Sequence, residues 1–227
     1  MKIGIICAGD VEVDPFLEEL KDAACVKKAM LKFYTGKISG HEVVTLFCGA
    51  CKVNAAIAAQ IVIDTFHAEL VINAGVAGGM DPKLQIFDTV ISTEVAYHDV
   101  AAGILTEFHP WMKSVYFAAD GELLAKSRKA LQDYKTKGSI YWGRMVTGEA
   151  FIENDHRQEI IDNFAPLSVD METGSIAHVC YVNEIPFIAI RTITDTAAHS
   201  GTEVFEKNCV KAANIAKDIT MELIRSL

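Results

Sequence analysis

The sequence predicts an α/β fold, a three-layer α/β/α sandwich with a central mixed sheet. Short apolar runs ending in small residues alternate with helix-spaced segments, and an early hairpin interrupts that alternation. The length bounds the expectation: 227 residues, 51% of them apolar and without a linker-like stretch, suit one domain over residues 1–227.

Lys2 to Ala8 is a continuous apolar run, as in a strand buried on both faces. It breaks at Gly9-Asp10, leaving Glu12 in the turn before a helix expected from Pro15 to Lys21. Leu31 to Thr35 and Glu42 to Phe47 flank Lys37-Ile38-Ser39-Gly40, the pattern of a hairpin. Lys52 to Phe66 has helical spacing of alanines and branched residues, and Glu69 to Asn73 is another buried strand. That strand ends in Gly75-Val76-Ala77-Gly78-Gly79, which suits either a tight turn or a close approach of backbone to a flat ligand.

Phe87 to Asp99 reads as a long strand, and Gly103 to Phe117 as the least regular segment, a candidate lid or subunit contact. Asp120 to Tyr134 begins with acids and ends near lysines, as the helix dipole prefers. Ile140 to Val146 predicts a strand, Asn154 a cap for a helix through Ile161, and Leu167 to Val169 a short strand. A small-residue helix from Thr173 to Cys180, a core strand from Pro186 to Thr194 and an amphipathic helix from Glu203 to Leu227 complete the chain.

Composition excludes several function classes. The net charge is −9 and the basic residues are scattered, so neither nucleic acid nor an anionic membrane is an expected partner. No apolar run reaches transmembrane length, and the N-terminal run is too short for a signal peptide, which points to a cytoplasmic protein. Six cysteines are dispersed; Cys48 and Cys51 have CxxC spacing. No second Cys/His pair accompanies them, so no metal or cofactor is expected and buried thiols are the preferred reading.

Polar residues collect just beyond the strand ends: Glu12, His98-Asp99, Glu149 to Ile152, Glu172 and Asp195. In open α/β sheets that rim faces the ligand crevice. Asp170 and Glu172, at a strand-to-helix junction, suit hydrogen bonds to polyol hydroxyls or capping of the next helix. Taken alone the cap is preferred; the other carboxylates at strand ends reverse that preference. Glu12, Glu172 and Asp195 together suit cleavage of a glycosidic bond, which needs a proton donor on one side and a base for water on the other. Arg191 stands ready to hold a carboxylate or polarise a water. His178, on an apolar helix, reads as a core residue.

Motifs spread along the chain carry a resemblance: Glu12 after the first strand, Tyr34-Thr35-Gly36, Gly49 with Lys52-Val53, Asn73 with Gly75 and Ala77-Gly78-Gly79, Tyr97-His98-Asp99, Gly148 with Ala150-Phe151-Ile152, Met171-Glu172, Ile176 to Cys180, and Arg191 with Asp195. In order and spacing they resemble the 5'-methylthioadenosine/S-adenosylhomocysteine nucleosidases of the purine nucleoside phosphorylase superfamily. The resemblance implies a nucleoside phosphorylase-like fold, a homodimer, and an adenine nucleoside as ligand. It implies Asp195 as the general acid at N7 of adenine and Glu12 as the base for water, with Arg191 nearby. Glu172 would accept from ribose hydroxyls, Met171 pack on the sugar, Phe151 stack on adenine, Ile152 read its edge through main-chain groups, and Phe205 cover the 5' substituent. Gly78 and Val76 belong to the same binding wall.

Phosphorylases of the superfamily hold phosphate with an arginine and a serine where this chain has Asn73 and Val76, so hydrolysis is the expected reaction. The phosphorylase alternative survives in the Gly9-Asp10 turn. Family members usually carry larger apolar residues at the places of Gly9, Ala50 and Ala102, and a small hydroxyl residue at Val76. The first three departures predict a pocket for a bulkier 5' group, such as homocysteine or a futalosine-type side chain. The fourth leaves a non-catalytic nucleoside-binding protein as the other alternative.

Overall fold

The computed structural model describes residues 1–101, 103–108 and 112–227, apart from the side chains of residues 154 and 155. Among these, one mixed sheet contains β1 (Lys2–Cys7), β2 (Lys21–Lys28), β3 (Leu31–Ile38), β4 (His41–Phe47), β5 (Leu70–Gly79), β6 (Thr89–Tyr97), β7 (Tyr116–Ala118), β8 (Ile140–Thr147), β9 (Ser168–Asp170) and β10 (Phe187–Asp195). The helices are α1 (Asp10–Glu19), α2 (Lys52–Asp64), the single turn α3 (Ile104–Glu107), α4 (Gly121–Ala130), α5 (Asn154–Phe164), α6 (Thr173–Val182) and α7 (Thr202–Arg225). Helices α2 and α6 cover one face of the sheet, and α1, α4 and α7 the other. This is the three-layer α/β architecture expected from the alternation. No helix among the described residues is long and apolar enough to cross a membrane.

Strand β1 illustrates how the apolar runs are used. Ile3, Ile5 and Cys7 point into the cluster under α1 and α7, whereas Ile6 points into the cluster under α2 and α6, all fully buried. Each such isoleucine contributes roughly 1.5–3 kcal/mol by leaving water. Continuous apolar character is therefore required of a strand covered on both faces.

Strand β5 is shared by more partners than any simple sheet order allows. One edge runs parallel to β10 from Val71 to Gly78. The other edge pairs with β1 over Leu70–Asn73 and then with β9 at Gly78 and Gly79. Because β10 also pairs with β6, β6 with β8, and β8 with β9, these five strands close into a ring. Strands β1, β4, β3 and β2 extend from β5 as an open arm.

Between its β1 and β9 partners, β5 has a stretch without a strand neighbour on that edge. The Glu12 carboxylate occupies the gap. Its Oε1 accepts from Val76 N at 2.7 Å, while Oε2 accepts from Ala8 N at 2.5 Å and Gly9 N at 3.1 Å. A methyl group at Gly75 would lie 2.2 Å from Oε1, so only glycine admits the carboxylate so close. The glycine-rich segment is thus part of a strand and not a turn.

Several local expectations need correction. The first helix starts at Asp10, not Pro15, so Glu12 lies in its first turn and Pro15 in its interior. Residues 21–28 form an edge strand with every side chain exposed, a pattern that offers no apolar alternation to read. Helix α5 begins at Asn154 itself, with Glu153 in the preceding cap position. Ala102, Pro110 and Trp111 lie outside the described residues.

Gly75→Ala is expected to destabilise the fold by about 1–3 kcal/mol, the usual cost of forcing an extra carbon into a packed site. Thermal unfolding should register this as a fall of roughly 2–4 °C per kcal/mol. An unchanged melting temperature would refute the account of Glu12 as the filler of the β5 gap.

Candidate active site

A cavity of about 340 Å³ opens at the C-terminal ends of β1, β5 and β10. Its wall contains Glu12, Arg191, Asp195, Val76, Gly78, Phe151, Ile152, Met171, Glu172 and Phe205, so every residue singled out for a role lines one space. The chain brings them together where the C-terminal halves of the parallel β5 and β10 meet the exits of the oppositely directed β8 and β9, while the first turn of α1, the start of α6 and the start of α7 fold over that place.

Arg191, on β10, is 1% exposed and faces three carboxylates. Its Nη2 donates to Glu172 Oε2 at 3.1 Å, its Nε lies 3.3 Å from Asp170 Oδ2, and its Nη1 lies 3.9 Å from Glu12 Oε1. Only the first contact has hydrogen-bond geometry; Nε and Nη1 are buried without a hydrogen-bond partner among the described residues. Taking a guanidinium out of water is costly unless anions surround it, and here they outnumber it. The mismatch appears at Glu172. Burial pushes its pKa up, with help from Asp170 and Glu12, and the opposing pull of Arg191 leaves it at about 7.

The two carboxylates of the Asp170-Met171-Glu172 junction are held differently. Asp170 accepts from Thr147 Oγ1 at 2.6 Å and from Thr173 N at 3.1 Å, and Thr173 Oγ1 also donates to it. It therefore secures the start of α6. Glu172 instead has its second oxygen, Oε1, held by Cys51 N at 3.0 Å. Cys51 makes that contact with φ 79° and ψ 163°, a conformation that is rare outside glycine and costs about 1–3 kcal/mol. The strain aims the N–H at the start of α2 directly toward Glu172.

Asp195 ends β10 against Gly78, where an added methyl would sit 3.3 Å from Oδ2. Its Oδ1 accepts from Thr194 Oγ1 at 2.8 Å. Burial raises its pKa, against the lowering effects of the Thr194 hydroxyl and the Arg157 charge. Arg157 was not visible as a site-shaping residue in the sequence, where it looks like a helix surface charge. In the fold it is 5% exposed and donates to the carbonyl of Gly79.

The remaining walls are apolar. Phe151 and Phe205 meet edge to face with ring centroids 6.1 Å apart, across the mouth from Met171. Gly9 and Ala50 line the same cavity, and a Cβ built on Gly9 would touch nothing within 4 Å. Val76 packs its side chain against Ala212 and Ala213 of α7, so its service to Glu12 comes from the backbone N–H. His178 does not line the cavity; it lies between Tyr97 and Phe117, with Nδ1 3.3 Å from the Tyr97 hydroxyl.

The geometry has counterparts among known proteins. The family model described as the phosphorylase superfamily matches residues 2–225. A 5'-methylthioadenosine/S-adenosylhomocysteine nucleosidase of Staphylococcus carnosus is 36% identical over 230 residues, covering 99% of this chain and 100% of the relative. The crystal structure of such a nucleosidase from Colwellia psychrerythraea in complex with adenine superposes with a TM-score of 0.92 at 30% identity, covering 100% of this chain and 96% of that one. An S-adenosylhomocysteine nucleosidase of Streptococcus pyogenes, in complex with 5-methylthiotubericidin, gives a TM-score of 0.91 at 29% identity, covering 100% and 97%. With Glu12, Glu172, Asp195 and Arg191 in the wall of one cavity, and full-length similarity of this degree, the chain belongs to the phosphorylase superfamily and, within it, to the 5'-methylthioadenosine/S-adenosylhomocysteine nucleosidases.

Proposed function

We propose that the cavity hydrolyses the N-glycosidic bond of 5'-thio-substituted adenosines, methylthioadenosine and S-adenosylhomocysteine among them, and releases adenine. The observation that carries this reading is the placement of Glu12 and Asp195 along β5. One carboxylate is anchored at Val76 and the other lies against Gly78, two residues apart. At the rise of a strand those two positions are roughly 7 Å apart, so the two carboxylates reach one cavity from neighbouring places on its wall.

Asp195, whose proton affinity is raised by burial, gives its proton to N7 of adenine as the C1'–N9 bond breaks, so the base leaves neutral. Glu12 takes a proton from the water whose oxygen bonds to C1'. Ionised Glu172 accepts from the ribose hydroxyls and faces the positive charge that develops on the ring. Phe151 stacks on adenine, main-chain groups at Ile152 meet its edge, Met171 packs on the sugar and Phe205 covers the 5' group. The Val76 backbone supplies the Glu12 anchor whatever its side chain, which favours catalysis over binding alone.

Phosphate is a poor nucleophile for this cavity. Its guanidinium already faces three carboxylates, and each like-charge contact at about 4 Å costs about 4 kcal/mol at an effective dielectric near 20. The open space at Gly9 beside Ala50 supports a preference for larger 5' substituents.

A homodimer is part of the same proposal. Val53 and Ile57 of α2 are 69% and 44% exposed, and Tyr181 and Val182 of α6 are 42% and 47% exposed. They flank a groove lined by Lys52, Ala56, His178 and Val179. Contiguous apolar surface of this kind marks an interaction site. Sedimentation should give about twice the chain mass of 24.8 kDa, and a monomer at micromolar concentration would overturn the dimer.

Adenine release from methylthioadenosine, S-adenosylhomocysteine and aminodeoxyfutalosine, with and without phosphate, tests the activity. Release is expected without phosphate, and faster with the larger substrates; strict phosphate dependence would overturn hydrolysis, and equal rates the enlarged pocket. Asp195→Asn should lower kcat by about 10²–10⁴-fold while adenine still binds. An active variant would remove Asp195 from the mechanism.

The pH profile follows from Glu172. Its pKa of about 7 means that it gains a proton as pH falls through neutrality and then ceases to be an anionic acceptor. With methylthioadenosine, kcat/KM should fall toward a tenfold drop per unit below about 7, because that ratio reports the free enzyme. A profile that stays level through this range would count against the ionised Glu172.

A further inference from the structure

The polar residues Lys52, Asp99 and Glu149 lie outside the catalytic cavity and take no part in the steps above. They nevertheless form a closed hydrogen-bonded triangle. Lys52 Nζ donates to Asp99 Oδ1 at 2.8 Å and to Oδ2 at 2.9 Å. Glu149 N donates to Asp99 Oδ2 at 2.9 Å, and Lys52 N donates to Glu149 Oε1 at 3.1 Å. The Lys52 ammonium also sits 5.1 Å from the centroid of the Tyr97 ring.

Each corner belongs to a different part of the rim. Asp99 follows β6, Lys52 opens α2, and Glu149 starts the turn that carries Phe151 and Ile152 into the cavity. Gly148, the preceding residue, is fixed by Gly148 N to the Asp170 carbonyl at 3.1 Å. It is also pressed against His98, whose Nε2 would lie 2.1 Å from an added methyl. The turn is thus anchored at Gly148 by the sheet and at Glu149 by Asp99. On the other side, Lys52 adjoins Cys51, whose strained N–H holds Glu172.

We propose that Asp99 is a positioning residue for adenine: through Glu149 it sets the turn bearing Phe151, and through Lys52 it locks that turn to the N-terminus of α2. This rests on the reading that adenine stacks on Phe151. Adenine and methylthioadenosine are uncharged at neutral pH, so Asp99 and Lys52 influence them through the backbone they hold and not through their charge.

The test measures adenine dissociation constants, methylthioadenosine kinetics and melting temperatures for the wild type, Asp99→Ala, Phe151→Ala and the double variant. Asp99→Ala should weaken adenine binding and raise KM together by about tenfold, with a smaller change in kcat. Because the turn set by Asp99 carries Phe151, the double variant should lose less adenine affinity than the product of the two single losses. Losses that multiply, or an Asp99→Ala protein with wild-type affinity, overturn the proposal. If Asp99→Ala does not fold, Asp99→Asn decides the matter. It retains an acceptor for Glu149 N but loses the negative charge that holds the Lys52 ammonium, so adenine binding should weaken, and an affinity unchanged from wild type overturns the clamp. Failure of the wild type to bind adenine would instead strike at the reading of the cavity itself.

Discussion

The buried Arg191 guanidinium is the constraint on which the site depends. It is drawn from a core strand, where an arginine would ordinarily be excluded, and it is tolerated because Asp170, Glu172 and Glu12 converge on it. Each of those carboxylates is anchored a second time by backbone N–H groups: Asp170 at the start of α6, Glu172 by Cys51, Glu12 by Ala8, Gly9 and Val76. Removing any one would leave the others with an altered balance of charge in a dry place. The cluster therefore couples the architecture of the rim to the proton affinity of Glu172.

Such a cluster sets the charge balance of the cavity. Positive charge is supplied by one fixed guanidinium, whose Nε and Nη1 have no hydrogen-bond partner among the described residues. Negative charge is in excess, which suits a reaction whose transition state is cationic at the sugar. Asp195, the proposed acid, stands apart from this cluster, at the end of β10 and near Gly78, where burial favours its neutral form. Separate surroundings give chemically similar side chains opposite duties.

Much of this was legible in the sequence, and what was not has physical reasons. Strands β1, β5 and β10 announce themselves because burial on both faces demands unbroken apolar character. Strand β2 hides because an exposed edge demands nothing of its side chains. The start of α1 was misread because Pro15 is a favourable first helical residue, whereas the chain uses Gly9 followed by Glu12 in the first turn. Residue chemistry alone reached Glu12, Glu172, Asp195 and Arg191; Phe151, Met171 and Phe205 required the resemblance. Arg157 escaped because its burial is a tertiary property, and the strain at Cys51 because a dihedral angle leaves no mark on a residue's identity.

The closed ring of five strands has a consequence for how this protein can change. A ring cannot splay, so Asp195, the Arg191 guanidinium and the β5 anchor of Glu12 are carried on a frame of fixed circumference. The walls beyond the sugar are built differently. Gly9, Ala50, Phe205 and Cys209 come from a strand exit, a loop and the first turns of α7, all outside the ring. Selection can enlarge or reshape that vestibule one side chain at a time while the chemistry stays untouched, so the range of nucleosides accepted is free to drift faster than the reaction performed on them.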